Sequence, residues 1–333
     1  MKCSAVLLFS AILSCAAAAQ GNSHACAASH YKIIPLPILP VRINDSGVVI
    51  GTTARADEDH QAAFWTEKDG PQILDLPAGF TAAEPKGINA KGDIVGTAWQ
   101  EASKHSAFRY SQGKLSLLPE HQAAAMAIND AGTFAGQVAE HLTLWANGKS
   151  TQLGDCCGGI VHSINAKEQV VGQINDKDGH YSAFVWDPTH DIQLVPAPHS
   201  ANSTALSING SGHILLQSFT PNVIYVVRNG KSSPVALSPE FASQPLSMND
   251  CDVIVGEFGA ASDFNHAFIW DSKSGFRDLN KLADTGAEWT LESALDINNR
   301  GEIVGIGDRG GQQDVGFLLV PEPRPQKSAV TRK

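Results

Sequence analysis

Positive charge is scarce in this 333-residue sequence. It has 24 lysines and arginines against 34 aspartates and glutamates, a formal net charge of −10. Lys2 lies in the first nineteen residues, and Arg324, Lys327, Arg332 and Lys333 lie near the C-terminus beside Glu322. The body between these ends is near −14. A body that acidic repels phosphate backbones and anionic lipid surfaces, so neither nucleic acid nor electrostatic membrane docking is expected.

Long apolar runs are also missing. Beyond the N-terminal region, no stretch approaches the ~20 apolar residues that a spanning helix needs. Catalytic signatures are absent as well: no Gly-x-Ser-x-Gly elbow, no His-Glu-x-x-His helix and no phosphate loop occurs. Gly305-Ile306-Gly307-Asp308-Arg309-Gly310 spells a dinucleotide fingerprint. A strand pattern follows it where that fingerprint requires a helix, so no such cofactor is expected. Trp186-Asp187 and Trp270-Asp271 read as strand ends entering turns. Asp176-Lys177-Asp178-Gly179 is the one calcium-like fragment. It lacks the preceding oxygen ligand, because Ile174 stands there, and the glutamate that closes such loops, so a solvated turn is expected with a calcium site as the alternative.

What is present at the N-terminus reads as a targeting segment. Lys2 is followed by an apolar run from Ala5 to Leu13 and by small residues from Ala16 to Ala19. This is the pattern of a cleaved secretory signal spanning 1–19. The alternative is a lipoprotein leader with Cys15 as the modified residue. Cleavage after Ala19 leaves Cys26, Cys156, Cys157 and Cys251, an even number that permits two disulfides in three possible pairings. Adjacent Cys156-Cys157 without a second pair does not fit a zinc site. A secreted, periplasmic or extracellular location is expected, with residues 20–30 as a linker.

The dominant feature is a repeat. Ile43-Asn44-Asp45-Ser46-Gly47-Val48-Val49-Ile50-Gly51 returns six times, with its asparagine at Asn89, Asn129, Asn165, Asn209, Asn249 and Asn298. Asparagine followed three places later by glycine marks a type I turn with a left-handed residue, here joining two short strands, a and b. Glu168 and Asp252 take the glycine place in two copies. A third strand, c, carries aromatics, as in Ser106-Ala107-Phe108-Arg109-Tyr110. A fourth, d, follows a polar turn, as in Ile73-Leu74-Asp75-Leu76-Pro77. Four antiparallel strands in each of seven units predicts an all-β, seven-bladed propeller over residues 31–321. The weak fifth unit leaves six blades as the alternative. Unit seven stops after strand c, and Tyr31-Lys32-Ile33-Ile34-Pro35-Leu36-Pro37 matches the missing strand d. The N-terminal strand therefore completes the last blade. Residues 322–333 read as a disordered tail.

The Ile-Asn-x-x-Gly-x-Ile-Val-Gly phrases and His266-Ala267-Phe268 resemble the HAF repeat of probable extracellular bacterial proteins. Only unit six spells His-Ala-Phe in full; units two and four have serine in the histidine place. The resemblance implies an extracytoplasmic, propeller-like protein and carries no general catalytic residue. Val320-Pro321-Glu322-Pro323 resembles the start of a sorting tail, but no hydrophobic helix follows.

In a propeller the a–b and c–d turns share one face and the b–c and d–a loops the other. The a–b turns are nearly uniform, whereas the b–c loops vary and carry charge, as sites on a rigid scaffold do. The expected ligand-binding residues are therefore His60, Glu101, His105, Asp176, Asp178, His180, Asp263, His266, Asp308 and Arg309. His105, His180 and His266 recur at the start of strand c, which also suits a structural role. The expected function is a monomeric binding or adhesion module for an extracytoplasmic glycan, peptide or surface protein. The alternative is a hydrolase or lyase whose histidines and carboxylates converge from several blades.

Overall fold

The computed structural model describes residues 27–53, 61–101, 104–154, 158–175, 178–200, 202–238, 241–260 and 263–323. The strands form seven four-stranded antiparallel sheets, the blades of a propeller. Blade one runs from Ile38 to Ile73, two from Ala82 to Leu117 and three from Ala123 to Gln152. Blade four runs from Gly159 to Leu194, five from Ser203 to Pro234 and six from Ala242 to Asp278. The weak fifth unit is thus a full blade, and the count is seven. Blade seven takes strands a to c from Trp289–Pro321 and its outer strand from Tyr31–Leu36. That closing strand pairs antiparallel with Gln312–Pro321, from Tyr31 opposite Pro321 to Leu36 opposite Gly316.

Strand d begins earlier than its apolar residues suggest. Gly70–Ile73 and Lys149–Gln152 are exposed or half-buried, and the buried residue comes next, as Leu74 and Leu153. Each of these two donates its amide to strand c, Leu74 to Ala62 and Leu153 to Leu142. The outer strand therefore faces water and only its end turns inward. One short 3₁₀ helix, Leu279–Lys281, follows blade six. It is capped by Asp278, whose carboxylate accepts the Asn280 amide at 2.9 Å.

Seven hydrophobic clusters fill the seven blade interfaces. Ile50, Leu74, Ala83, Ile94 and Phe108 join blades one and two, and Ile38, Val49, Val304 and Leu318 join blades seven and one. The strand-b glycines make this packing possible. Gly96, Gly172, Gly256 and Gly305 lie directly opposite Phe108, Phe184, Phe268 and Phe317 of strand c. A Cβ on any of the four would strike a strand-a carbonyl and the phenylalanine ring. Each ring is fully buried, worth roughly 2–3 kcal/mol. In blade five Leu216 replaces the glycine and Tyr225 faces it, both buried.

The repeated asparagines do two jobs. In every unit the side-chain oxygen accepts from the backbone two and four residues on, as Asn44 does from Ser46 at 3.0 Å and Val48 at 2.9 Å. The side-chain nitrogen donates to the carbonyl of the next blade's asparagine. This chain runs Asn44, Asn89, Asn129, Asn165, Asn209, Asn249, Asn298 and back to Asn44, at 2.9–3.3 Å. The ring of seven bonds closes on itself at the interface where the chain ends meet.

The two non-glycine turn residues have φ of 58° and reach backward. Glu168 accepts from Thr133 of blade three at 2.8 Å. Asp252 accepts from Asn209 at 2.8 Å and Arg228 at 2.6 Å in blade five, and pairs with His213 at 2.9 Å. Each carboxylate offsets its left-handed backbone with contacts across a blade interface.

Candidate functional site at the central channel

Strand a of each blade lines the propeller axis, and all seven carry a bulge near their end. In the first six the bulge centres three residues before the asparagine: Val41, Lys86, Met126, His162, Leu206 and Leu246. A bulge re-aims side chains and breaks the two-residue alternation. The result is an axial cavity of about 300 Å³ with walls from all seven blades. It opens on the a–b turn face, where Asp45, Asp130, Asp250 and Asn299 stand at its mouth.

The mouth is a hydrogen-bonded rim. Asn299 donates its side-chain amide to Asp45 at 3.0 Å and to Asp250 at 2.9 Å. Asp130 accepts the Ala90 amide at 2.8 Å. Deeper in, the wall divides by chemistry. Arg42, Lys86, His162 and Asp296 are polar; Met126, Leu206 and Leu246 are apolar.

Asp296 is buried and already satisfied. Its carboxylate accepts from Ser247 at 2.6 Å and from the Ile43 amide at 2.9 Å. Burial raises its pKa, against the opposing pull of Arg42. Lys86 pairs with Glu84 at 2.6 Å. Arg42 is half-buried and donates through Nη1 to the Val41 carbonyl at 2.9 Å, which leaves the rest of its fork free. His162 is half-buried and has no hydrogen-bond partner among the described residues. Burial, helped by the charge of Arg42, lowers its pKa to about 4, so the imidazole is neutral at physiological pH. Arg42 and His162 thus offer unused donors in a partly apolar cavity that is open to solvent at the a–b face.

The loop-face residues are placed differently. His60 and Asp176 lie outside the described residues, as do Cys26, Cys156 and Cys157. For Glu101 and Asp263 only the strand position is described, in strand b of blade two and strand c of blade six. The carbonyl of His105 accepts at 3.1 Å the amide of Gln122, the residue that leads into blade three, which ties that connection to blade two. His266 pairs with Asp278 at 3.4 Å and sits edge-on to Phe258 at 5.3 Å. Asp308 accepts the Gly311 amide at 2.9 Å within its own turn. Arg309 stacks over Trp289 at 5.6 Å, with Glu288 at 3.6 Å. Asp178 and His180 are exposed, and each has an interaction of its own.

Among the described residues, no three His, Cys, Asp or Glu side chains are grouped to hold a metal. The Asp176–Gly179 fragment lies partly outside them. The described histidine–carboxylate pairs are His30–Asp284, His190–Asp187, His213–Asp252 and His266–Asp278, and none of these residues lines the channel. No helix among the described residues is long and apolar enough to cross a membrane, which leaves β-barrels unaddressed.

Sequence reasoning missed Arg42, Lys86, His162 and Asp296 because they lie just before the uniform phrase, on the strand that leads into it. A signal was there. The two places just before the repeated Ile-Asn, or Met-Asn in unit six, hold arginine, lysine, histidine and aspartate in four units and small or apolar residues in the rest.

No family model matches the chain, and no curated protein matches it. Solved structures do match in fold. One is the β-propeller domain of the Trilobed protease from Pyrococcus furiosus, described as having an open velcro topology. It is 11% identical, with a TM-score of 0.62, covering 87% of this chain and 97% of that one. A puromycin-hydrolyzing peptidase of Mycobacterium tuberculosis aligns at 12% identity and a TM-score of 0.58, over 86% of this chain and 52% of that one. A chain of a mitotic checkpoint complex aligns at 12% identity and a TM-score of 0.55, over 96% and 99%. At these identities the likeness establishes the propeller fold alone.

Proposed function

We propose that this protein is an exported, monomeric binding propeller that takes a small carboxylate-bearing ligand into the a–b end of its central channel. The observation that carries the reading is the pair of unused donors, Arg42 and His162, inside the axial cavity. A planar guanidinium fork matches a carboxylate, and partial burial of Arg42 strengthens the interaction. Met126, Leu206 and Leu246 suit an apolar body attached to that carboxylate. The free end of a peptide is the favoured class, in keeping with the peptidase propellers among the fold neighbours. The HAF-repeat resemblance and the N-terminal leader support an extracytoplasmic setting. The charged b–c face is then a second surface, open to a glycan or surface protein.

Calorimetric titration tests the reading. The probes are acetyl-Ala-Ala-Leu with a free carboxylate, its C-terminal amide, and a galacturonate dimer. The free acid should bind, the amide should bind at least about tenfold more weakly, and Arg42→Met should lose the difference. Equal binding of acid and amide would refute the carboxylate site. Preference for the uronate would transfer the ligand class to acidic sugars. Release of free leucine during titration would favour the hydrolase.

A further inference from the structure

We infer that the rim of the axial cavity recognises the main chain of a peptide, with the free backbone amides of Asp130 and Ala166 donating to two of its carbonyls. The inference rests on the carboxylate reading above. The ligand's terminus sits at Arg42 and His162, and the chain behind it leaves through the mouth.

The rim is a second ring above the ring of asparagines, and it is incomplete. The residue after each repeated asparagine lines the mouth, from Asp45 in blade one to Asn299 in blade seven. In four blades the amide of this residue donates to the side chain at the same place in the next blade. Ala90 donates to Asp130 at 2.8 Å, Gly210 to Asp250 at 2.6 Å, Asp250 to Asn299 at 2.9 Å and Asn299 to Asp45 at 2.8 Å. The other three places fail for a chemical reason. The residues that face the amides of Asp45, Asp130 and Ala166 in this pattern are Ala90, Ala166 and Gly210, whose side chains have no oxygen. None of these three amides has an acceptor among the described residues.

Two of the three vacancies adjoin. Asp130 and Ala166 belong to successive blades, three and four, and the small residues Ala166 and Gly210 leave the rim open there. This arc stands above His162, which lies four residues before Ala166 on strand a of blade four. Four residues span at most roughly 13 Å, and an extended acetylated tripeptide reaches about 10 Å from its carboxylate to its acetyl carbonyl. A peptide anchored at the His162 ring therefore reaches the arc. Charge selects the kind of acceptor. The carboxylates of Asp130 and Asp250 flank the arc, which disfavours a second anionic group and suits a neutral carbonyl. Bonds to the main chain carry no preference for side chains, so the rim selects peptides as a class.

Calorimetry compares acetyl-Ala-Ala-Leu with 4-methylpentanoate, which keeps the carboxylate and the apolar body and has no peptide carbonyl. The native protein should bind the tripeptide at least about fivefold more tightly. Ala166→Asn offers the Asp130 amide an acceptor on an existing Cβ, as Asn299 does for Asp250, and adds no charge. It should weaken the tripeptide by about fivefold and leave 4-methylpentanoate unchanged, whereas Arg42→Met should weaken both. Amide NMR of the native protein gives a readout that needs no variant. The Asp130 and Ala166 amide protons should move downfield and exchange more slowly with the tripeptide bound, and should not respond to 4-methylpentanoate. Equal affinity for the two acids, or amides that still exchange freely with water beside bound tripeptide, would overturn the rim and leave the carboxylate site standing. If neither acid binds, both readings fall.

Discussion

In Asn165 one side-chain oxygen accepts the amides of Lys167 and Gln169, both at 3.0 Å, while the nitrogen donates to Asn209 of the next blade at 3.1 Å. The turn half of this role was legible in the sequence, because Asn with a left-handed residue three places on has a local cause. The inter-blade half was not, since its acceptor lies 44 residues away. Asn165→Asp separates the two. It keeps the oxygen that organises the turn, removes the donor and aims a carboxylate at a buried carbonyl. Chemical denaturation should show a loss of about 1–3 kcal/mol. His162 supplies the pH prediction. Its folded pKa, about 4, lies below the ordinary histidine value of 6.5, so its contribution is complete above pH 6.5 and is lost as pH falls through 4. The stability difference between the native protein and His162→Gln should shrink by up to about 3 kcal/mol over that window, read from urea midpoints. Asp296 acts in the opposite sense. Its raised pKa makes the native fold relatively favoured below the ordinary aspartate range, and that contribution is lost as pH rises through the folded value.

At the scale of the strand, the glycine opposite each phenylalanine is a packing requirement. Gly256 has no positive φ, but a Cβ there would meet the Gln244 carbonyl and the Phe268 ring. Gly256→Ala should therefore cost about 3 kcal/mol by overpacking, visible in thermal or urea unfolding. Strands a, b and c were legible because alternation and turn chemistry are local. Strand d of blade one, read from Ile73 to Pro77, runs instead from Gly70 to Ile73, because its apolar residue Leu74 lies just past the paired segment. The channel site was hidden for a related reason. The bulge in strand a breaks the period of two, so Lys86 and His162 could not be assigned a face from alternation.

For the whole molecule, closure is the organising fact. The strand Tyr31–Leu36, the Asn298-to-Asn44 bond and the cluster of Ile38, Val49, Val304 and Leu318 all act at one interface. Deleting residues 1–36 would leave Gln312–Pro321 as an exposed edge and remove buried Tyr31 and Leu36. The expected outcome is aggregation or a Tm fall beyond about 10 °C, followed by size-exclusion chromatography and circular dichroism. The same closed ring gives the channel its seven walls and brings Arg42 of blade one within electrostatic reach of His162 of blade four. The most direct test of the channel as a ligand site is NMR titration of the His162 ring with and without saturating acetyl-Ala-Ala-Leu carrying its free carboxylate. A carboxylate bound beside the imidazole should raise the His162 pKa from about 4 by a unit or more. A bound protein whose His162 titrates unchanged would place the ligand elsewhere and contradict the account.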